Sequence, residues 1–206
     1  MIKLTEILAE IGDASSKPFK WRRGASLSPK EMVEIPVAPD KETYYDYFYT
    51  FDANGVPYRI QFNGRVERKL TLQLPGSKPL TDRDKYEVRI NVDFNTESGY
   101  DTKTTPDTNK GDQFRILATV VDTIVDFVKD FNKDGPSSII VDEFYIAPKA
   151  DNEDVSKMDS RRARFYQAYI KRQLNKINMY GIRYRASTKS YKGSEYIQLD
   201  TSTPAN

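Results

Sequence analysis

The 206-residue chain contains neither cysteine nor histidine. Without cysteine it forms no disulfide, offers no thiol nucleophile and holds no thiolate-bound metal. Without histidine it lacks the side chain most used as a general base and as a transition-metal ligand. No apolar run approaches the roughly 18–20 residues that carry a helix across a bilayer. Lys3, Glu6 and Glu10 interrupt the apolar positions of the opening, unlike a secretory leader. These absences lead us to expect a soluble, intracellular product with no membrane partner, no metal and no cofactor. Repeats of 20–50 residues are also missing. Charge of one sign is not in excess, since 32 Lys+Arg against 30 Asp+Glu leave a net +2. What is abundant is aromatic surface, 14 tyrosines and 10 phenylalanines, a content that disordered chains do not carry.

Ile2, Leu4, Ile7, Leu8 and Ile11 recur at helical spacing, so residues 2–11 read as a short amphipathic helix ended by Gly12-Asp13. Residues 12–43 then lose all periodicity and carry Pro18, Pro29, Pro36 and Pro39, which favour extended chain. Charge is segregated here. Lys17, Lys20, Arg22, Arg23 and Lys30 meet no acid, and acids dominate from Glu31 to Asp52. We expect residues 1–43 to be a helix and extended arm, 44–200 a single domain, and 201–206 a tail.

Tyr44–Phe51 and Tyr58–Phe62 have strand composition and flank Asn54-Gly55, the pair that tolerates the positive φ of a tight hairpin. Leu70, Leu72 and Leu74 suggest a further short strand. Tyr86–Phe94 alternates cleanly, with Val88, Ile90, Val92 and Phe94 on one face, the pattern of an antiparallel strand wet on one side. Phe114, Leu117, Val121, Ile124, Val125 and Val128 predict a helix over 114–134, stopped by Gly135-Pro136. A strand over 139–146, a helix over about 159–178 and two strands, 180–186 and 195–199, complete the order. That order makes an α+β fold, a mixed and mostly antiparallel sheet with packed helices.

Three constellations bear on chemistry. Asp122, Asp126, Asp130 and Asp134 fall every four residues along one helix side. Such a ladder suits a hard cation or acid–base work, and equally suits a solvated helix face, the reading we prefer. Asp82-Arg83-Asp84 has an Asp-x-Asp form, for which a polar turn before the next strand is the simpler reading. Between Lys157 and Lys192, eleven basic residues meet only Asp159, net +10 against −8 for the rest of the chain. Interleaved tyrosines make Arg161, Arg162, Arg164, Lys171, Arg172, Arg183 and Arg185 candidates for RNA or single-stranded DNA. In the arm, Trp21 between Lys20 and Arg22-Arg23 is an apolar anchor flanked by cations. It suits docking into a partner's pocket, or folding back on its own domain.

Two resemblances add to this. The opening Met1-Ile-Lys-Leu-Thr-Glu-Ile-Leu8, the run Gly111-Asp-Gln-Phe114 into Arg115–Asp122, and Arg164-Phe-Tyr166 with Lys171-Arg172 and Gly181 resemble small tailed-phage proteins. The order of elements from Tyr44 onward is similar to the GNAT acetyltransferase fold. That resemblance implies an acetyl-CoA site at Asn109–Phe114, with Lys110, Gly111 and Gln113 receiving the pyrophosphate. It also implies Tyr166 as a catalytic acid, within the echo Ser160, Ala163, Tyr166, Gly181, where serine stands in the family's asparagine position. We expect a non-enzymatic phage protein of the virion or host cytoplasm, an assembly component or infection accessory factor. Its arm would dock through Trp21, Arg22 and Arg23 on other phage proteins or on a second copy. A GNAT-like acyltransferase and a nucleic-acid-binding protein are the alternatives.

Overall fold

A computed structural model describes residues 16–24, 43–69, 75–96, 113–135, 138–148, 160–191 and 194–201. Seven strands form one sheet: β1 (Trp21–Arg23), β2 (Thr43–Ala53), β3 (Val56–Arg68), β4 (Tyr86–Thr96), β5 (Glu143–Pro148), β6 (Tyr184–Tyr191) and β7 (Ser194–Thr201). Their order across the sheet is β1-β2-β3-β4-β5-β7-β6. Every neighbouring pair is antiparallel except β4 and β5, which run parallel. The helices are α1 (Asp82–Lys85), α2 (Gln113–Phe131), which belongs to the crossover from β4 to β5, and α3 (Ser160–Ile177). The α+β fold expected from the pattern of elements is the fold observed.

The alternation in the sequence explains the layers. Tyr47, Tyr49, Phe51, Tyr58, Ile60, Phe62 and the β4 set Val88, Ile90, Val92 and Phe94 are buried in one core. Helices cover that face: Phe127 of α2 stacks on Phe62 at 4.8 Å and meets Phe144 edge-on at 6.2 Å. Tyr166 of α3 packs on Phe94 at 5.8 Å. The opposite face is polar, with Arg89 of β4 bridged to Glu67, Glu87 and Glu143 at 3.2–3.4 Å. Asn54 and Gly55 take φ of 55° and 86°, so the β2–β3 hairpin has the tight turn the dipeptide predicts.

Several boundaries differ from expectation for local physical reasons. Ile140 and Val141 are buried without being strand, because Asp142 turns its groups onto the neighbouring strands. Its carboxylate accepts from Val88 N–H at 2.9 Å, its own N–H donates to Val88 O, and its carbonyl accepts from Thr201 N–H. Burial pushes the Asp142 carboxyl above the usual range, against the pull of the Val88 N–H and Lys69. The strand expected at 180–186 begins instead at Tyr184, because Tyr180-Gly181 make a tight turn closed by the Met179–Ile182 bridge. Asp82–Asp84 is a capped helical turn: Thr81 N–H donates to Asp84 Oδ2 at 2.9 Å and Asp84 N–H returns to Thr81 Oγ1 at 3.3 Å. The helix at 2–11, the strand at Leu70–Leu74 and residues 202–206 of the expected tail lie outside the described residues, while Thr201, expected in that tail, closes β7.

Residues 16–24 belong to the stretch expected as a separate arm. The structure instead builds them onto the body, as the first strand of the sheet and a piece of the core. The remainder of that stretch lies outside the described residues.

Candidate interface: an N-terminal clasp on an acidic helix

Helix α2 is amphipathic. Leu117, Val120, Val121, Ile124, Phe127 and Val128 face the sheet and are buried. Asp122, Asp126 and Asp130 are half-buried on another side. Among the described residues no group of three or more ligating side chains could hold a metal ion. The three aspartates receive the N-terminal segment. Trp21 Nε1 donates to Asp122 Oδ2 at 2.7 Å. Arg23 Nη2 donates to Asp126 Oδ2 at 2.6 Å, and its Nη1 lies 3.4 Å from Asp130 Oδ2. Tyr49 Oη donates to the same Asp126 oxygen at 2.9 Å. The four-residue spacing of the acids and the two-residue spacing of Trp21 and Arg23 on one strand face bring each anchor opposite its acceptor.

Backbone and aromatic contacts complete the seat. β1 adds to the edge of β2 with Trp21 opposite Phe51 and Arg23 opposite Tyr49. Gly24 N–H then donates to Phe48 O at 2.8 Å. A Cβ on Gly24 would lie 2.0 Å from the Phe48 ring, so any other residue here must push that ring aside. Trp21 meets Tyr49 edge-on at 5.0 Å. Phe19 is buried, stacks on Phe51 at 5.7 Å, and carries the Arg115 guanidinium 3.8 Å above its ring. Its N–H donates to buried Thr119 Oγ1 at 2.9 Å.

The electrostatics follow from this geometry. Burial works against the Arg23 charge, yet the hydrogen bond to Asp126 and that carboxylate's charge hold its pKa above the ordinary value. Burial pushes the Tyr47 hydroxyl up to about 12 despite Arg23 nearby, its guanidinium 5.5 Å from the ring. Tyr49 is raised too, by burial first and by Tyr47 and Asp126 after it. Both phenols therefore stay neutral at physiological pH, and the clasp is held by one guanidinium, one indole N–H and three carboxylates.

The expected site residues are thus dispersed. Trp21 and Arg23, expected to dock on a partner, are seated on the chain's own helix; Arg22 between them is exposed. Gln113 opens α2, and Lys110 and Gly111 lie outside the described residues. Tyr166 is half-buried against Phe94, its ring spent on packing. Arg161, Arg162 and Arg164 lie in the first two turns of α3, while Lys171, Arg172, Arg183 and Arg185 are exposed. Arg185 reaches Asp200 at 3.3 Å. The clasp and the basic surface occupy opposite ends of the strand order, about 29 Å apart across the strands at 4.8 Å per step.

Phe19, Tyr49 and Thr119 escape a reading of the sequence as site residues: Phe19 stands in a short stretch with no period, and Tyr49 and Thr119 belong to β2 and α2, whose periods reveal the elements and not their partners. One signal was available: the basic stretch Lys17–Arg23 and the acid ladder of α2 are complementary in sign. Set against known proteins, the chain matches no family model, no curated protein and no solved structure.

Proposed function

We propose that this chain is a non-enzymatic assembly component whose N-terminal segment is exchanged between copies. The clasp is a complete peptide-recognition site: strand addition supplies affinity through the backbone, and Phe19, Trp21 and Arg23 supply specificity. The observation that carries the reading is that the docked segment joins the body through a connection much longer than docking requires. From Gly24, beside Phe48, the chain need travel only the five residues back to Thr43, about 17 Å along β2. The eighteen residues 25–42 can span up to about 60 Å. The segment can therefore occupy its own site when copies are dilute and a neighbour's site when they are crowded, without losing a contact. A virion or infection setting is what the phage-like sequence features imply.

Light scattering on the full chain tests this. The mass should rise from 23.7 kDa toward multiples of it as concentration enters the high micromolar range, and Arg23→Glu should abolish the rise. A 23.7 kDa species at every concentration overturns the proposal.

One observation favours a second reading. The elements after Thr43 keep the order that resembles GNAT enzymes, with Gln113 at the start of α2 and Tyr166 on α3. Calorimetry with acetyl-CoA decides it, and no heat at high micromolar ligand removes it.

A further inference from the structure

We propose that the turn following α3 is a binding site for single-stranded nucleic acid, with Tyr180 as its stacking platform. This inference is independent of the clasp and lies at the opposite end of the strand order.

Tyr180 is unusual on two counts. It is the one large hydrophobic side chain exposed among the described residues, at 45%. It also sits at φ +54°, followed by Gly181 at +76°. Two successive positive φ values define a tight turn that glycine, asparagine or aspartate fills without strain. A tyrosine in this left-handed region is sterically disfavoured. The residue stays 45% exposed, so packing holds less of it than of any other large hydrophobic side chain among the described residues. The fold is served by Asn or Gly at this position and gains nothing evident from tyrosine. A strained, exposed aromatic of this kind points to a surface role.

The surroundings supply the rest. Arg172 and Lys176 are exposed on α3 one turn apart, and Tyr180 lies in the turn that follows the end of that helix at Ile177. Arg183 is exposed on the far side of the turn, and Arg185, two residues on and on the same side of the extended chain, is exposed while paired with Asp200 at 3.3 Å. Between residues 160 and 193 there is no acid at all. A cationic track beside an open aromatic face is what phosphates and unpaired bases recognise together. An acidic protein surface would use the cations and have no need of the ring. A duplex presents no unpaired base to stack. The chemistry therefore favours a single strand.

Fluorescence anisotropy with a labelled oligothymidylate of about twelve nucleotides, using the full chain, tests this. Binding should weaken with salt at a logarithmic slope of about −0.7 for each phosphate contacted. Tyr180→Ala should lower affinity about tenfold or more with the salt slope kept, and Tyr180→Phe should restore it. Arg172→Ala with Lys176→Ala should flatten the slope instead. Tyr180→Asn gives a second readout, because asparagine relaxes the turn: it should raise the urea midpoint while lowering affinity. No binding at 50 mM salt, an affinity indifferent to Tyr180→Ala, or equal competition by polyglutamate of matched charge each overturns the proposal. So does a lower urea midpoint for Tyr180→Asn, which would make the ring a structural element.

Discussion

If the N-terminal segment is a separable element, truncating its deepest anchor should release the segment and leave the body folded. Phe19→Ala is the sharpest such perturbation. The ring is 7% exposed, stacked on Phe51 and covered by Arg115. Truncating buried phenylalanine to alanine costs about 3–5 kcal/mol in a closed core. Phe19 lies at a sheet edge, where the segment can detach instead of leaving a cavity, so we take the lower end, about 3 kcal/mol. At 1.4 kcal/mol per decade, the open fraction of the clasp rises about a hundredfold. Trp21 is the only tryptophan in the chain, and it packs edge-on against Tyr49 in the docked segment. Its emission therefore reports docking directly. The variant should show red-shifted, more readily quenched emission, faster exchange at the Gly24 amide that bonds to Phe48 O, and tryptic cleavage at Lys20, Arg22 and Arg23. The amides of β3 and β4 should keep their protection. Unchanged emission and exchange would refute the contact energetics. Equal loss of protection in β3 and β4 would refute separability, and exchange between copies with it.

Other outcomes follow from the same contacts. Gly24→Ala should drive the Phe48 ring away from Arg59, whose guanidinium sits 5.1 Å from it, and loosen the clasp by about 1–3 kcal/mol, read by the same tryptophan emission. Asn132→Leu should lower global stability by about 1–3 kcal/mol in urea unfolding, because Val141 N–H loses its acceptor and Tyr184 Oη loses the Asn132 amide donor, all buried. Asp142 gives a pH signature. Burial raises its native pKa above the unfolded value, so the native state binds more protons and stability falls as pH rises through the interval starting near 4. Asp142→Asn should remove that segment of the pH–stability curve, seen as a flatter urea midpoint from pH 4 upward; a curve unaltered by the substitution would contradict the assignment.

The elements legible in the sequence are those whose residues repeat with a period. The β2–β3 hairpin rests on Asn54-Gly55 and on alternating aromatics. β4 rests on Val88, Ile90, Val92 and Phe94, and α2 on an apolar stripe at helical spacing. Each signal is local, and each survives into the fold. β1 was not legible, because three residues have no period and its pairing is decided by acids on α2 a hundred positions away. The late start of β5 was hidden for a similar reason: Ile139–Val141 look like strand, but Asp142 commits the local backbone to β4 and β7. The displaced β6 turned on a tyrosine in a conformation that its residue type disfavours. The acid ladder was visible as a pattern. Its use was not, since carboxylates at every fourth residue look the same facing water as facing a tryptophan and an arginine.

Exchange of the segment between copies is most directly read by cross-linking, and the chain's lack of cysteine makes the experiment clean. Arg22 and Thr50 are partners across β1 and β2. A chain carrying Arg22→Cys, mixed at high concentration with one carrying Thr50→Cys, should give a mixed dimer with a short bis-maleimide. The doubly substituted chain at low concentration should close within itself. Internal closure of the double variant with no mixed dimer at any concentration would contradict the account.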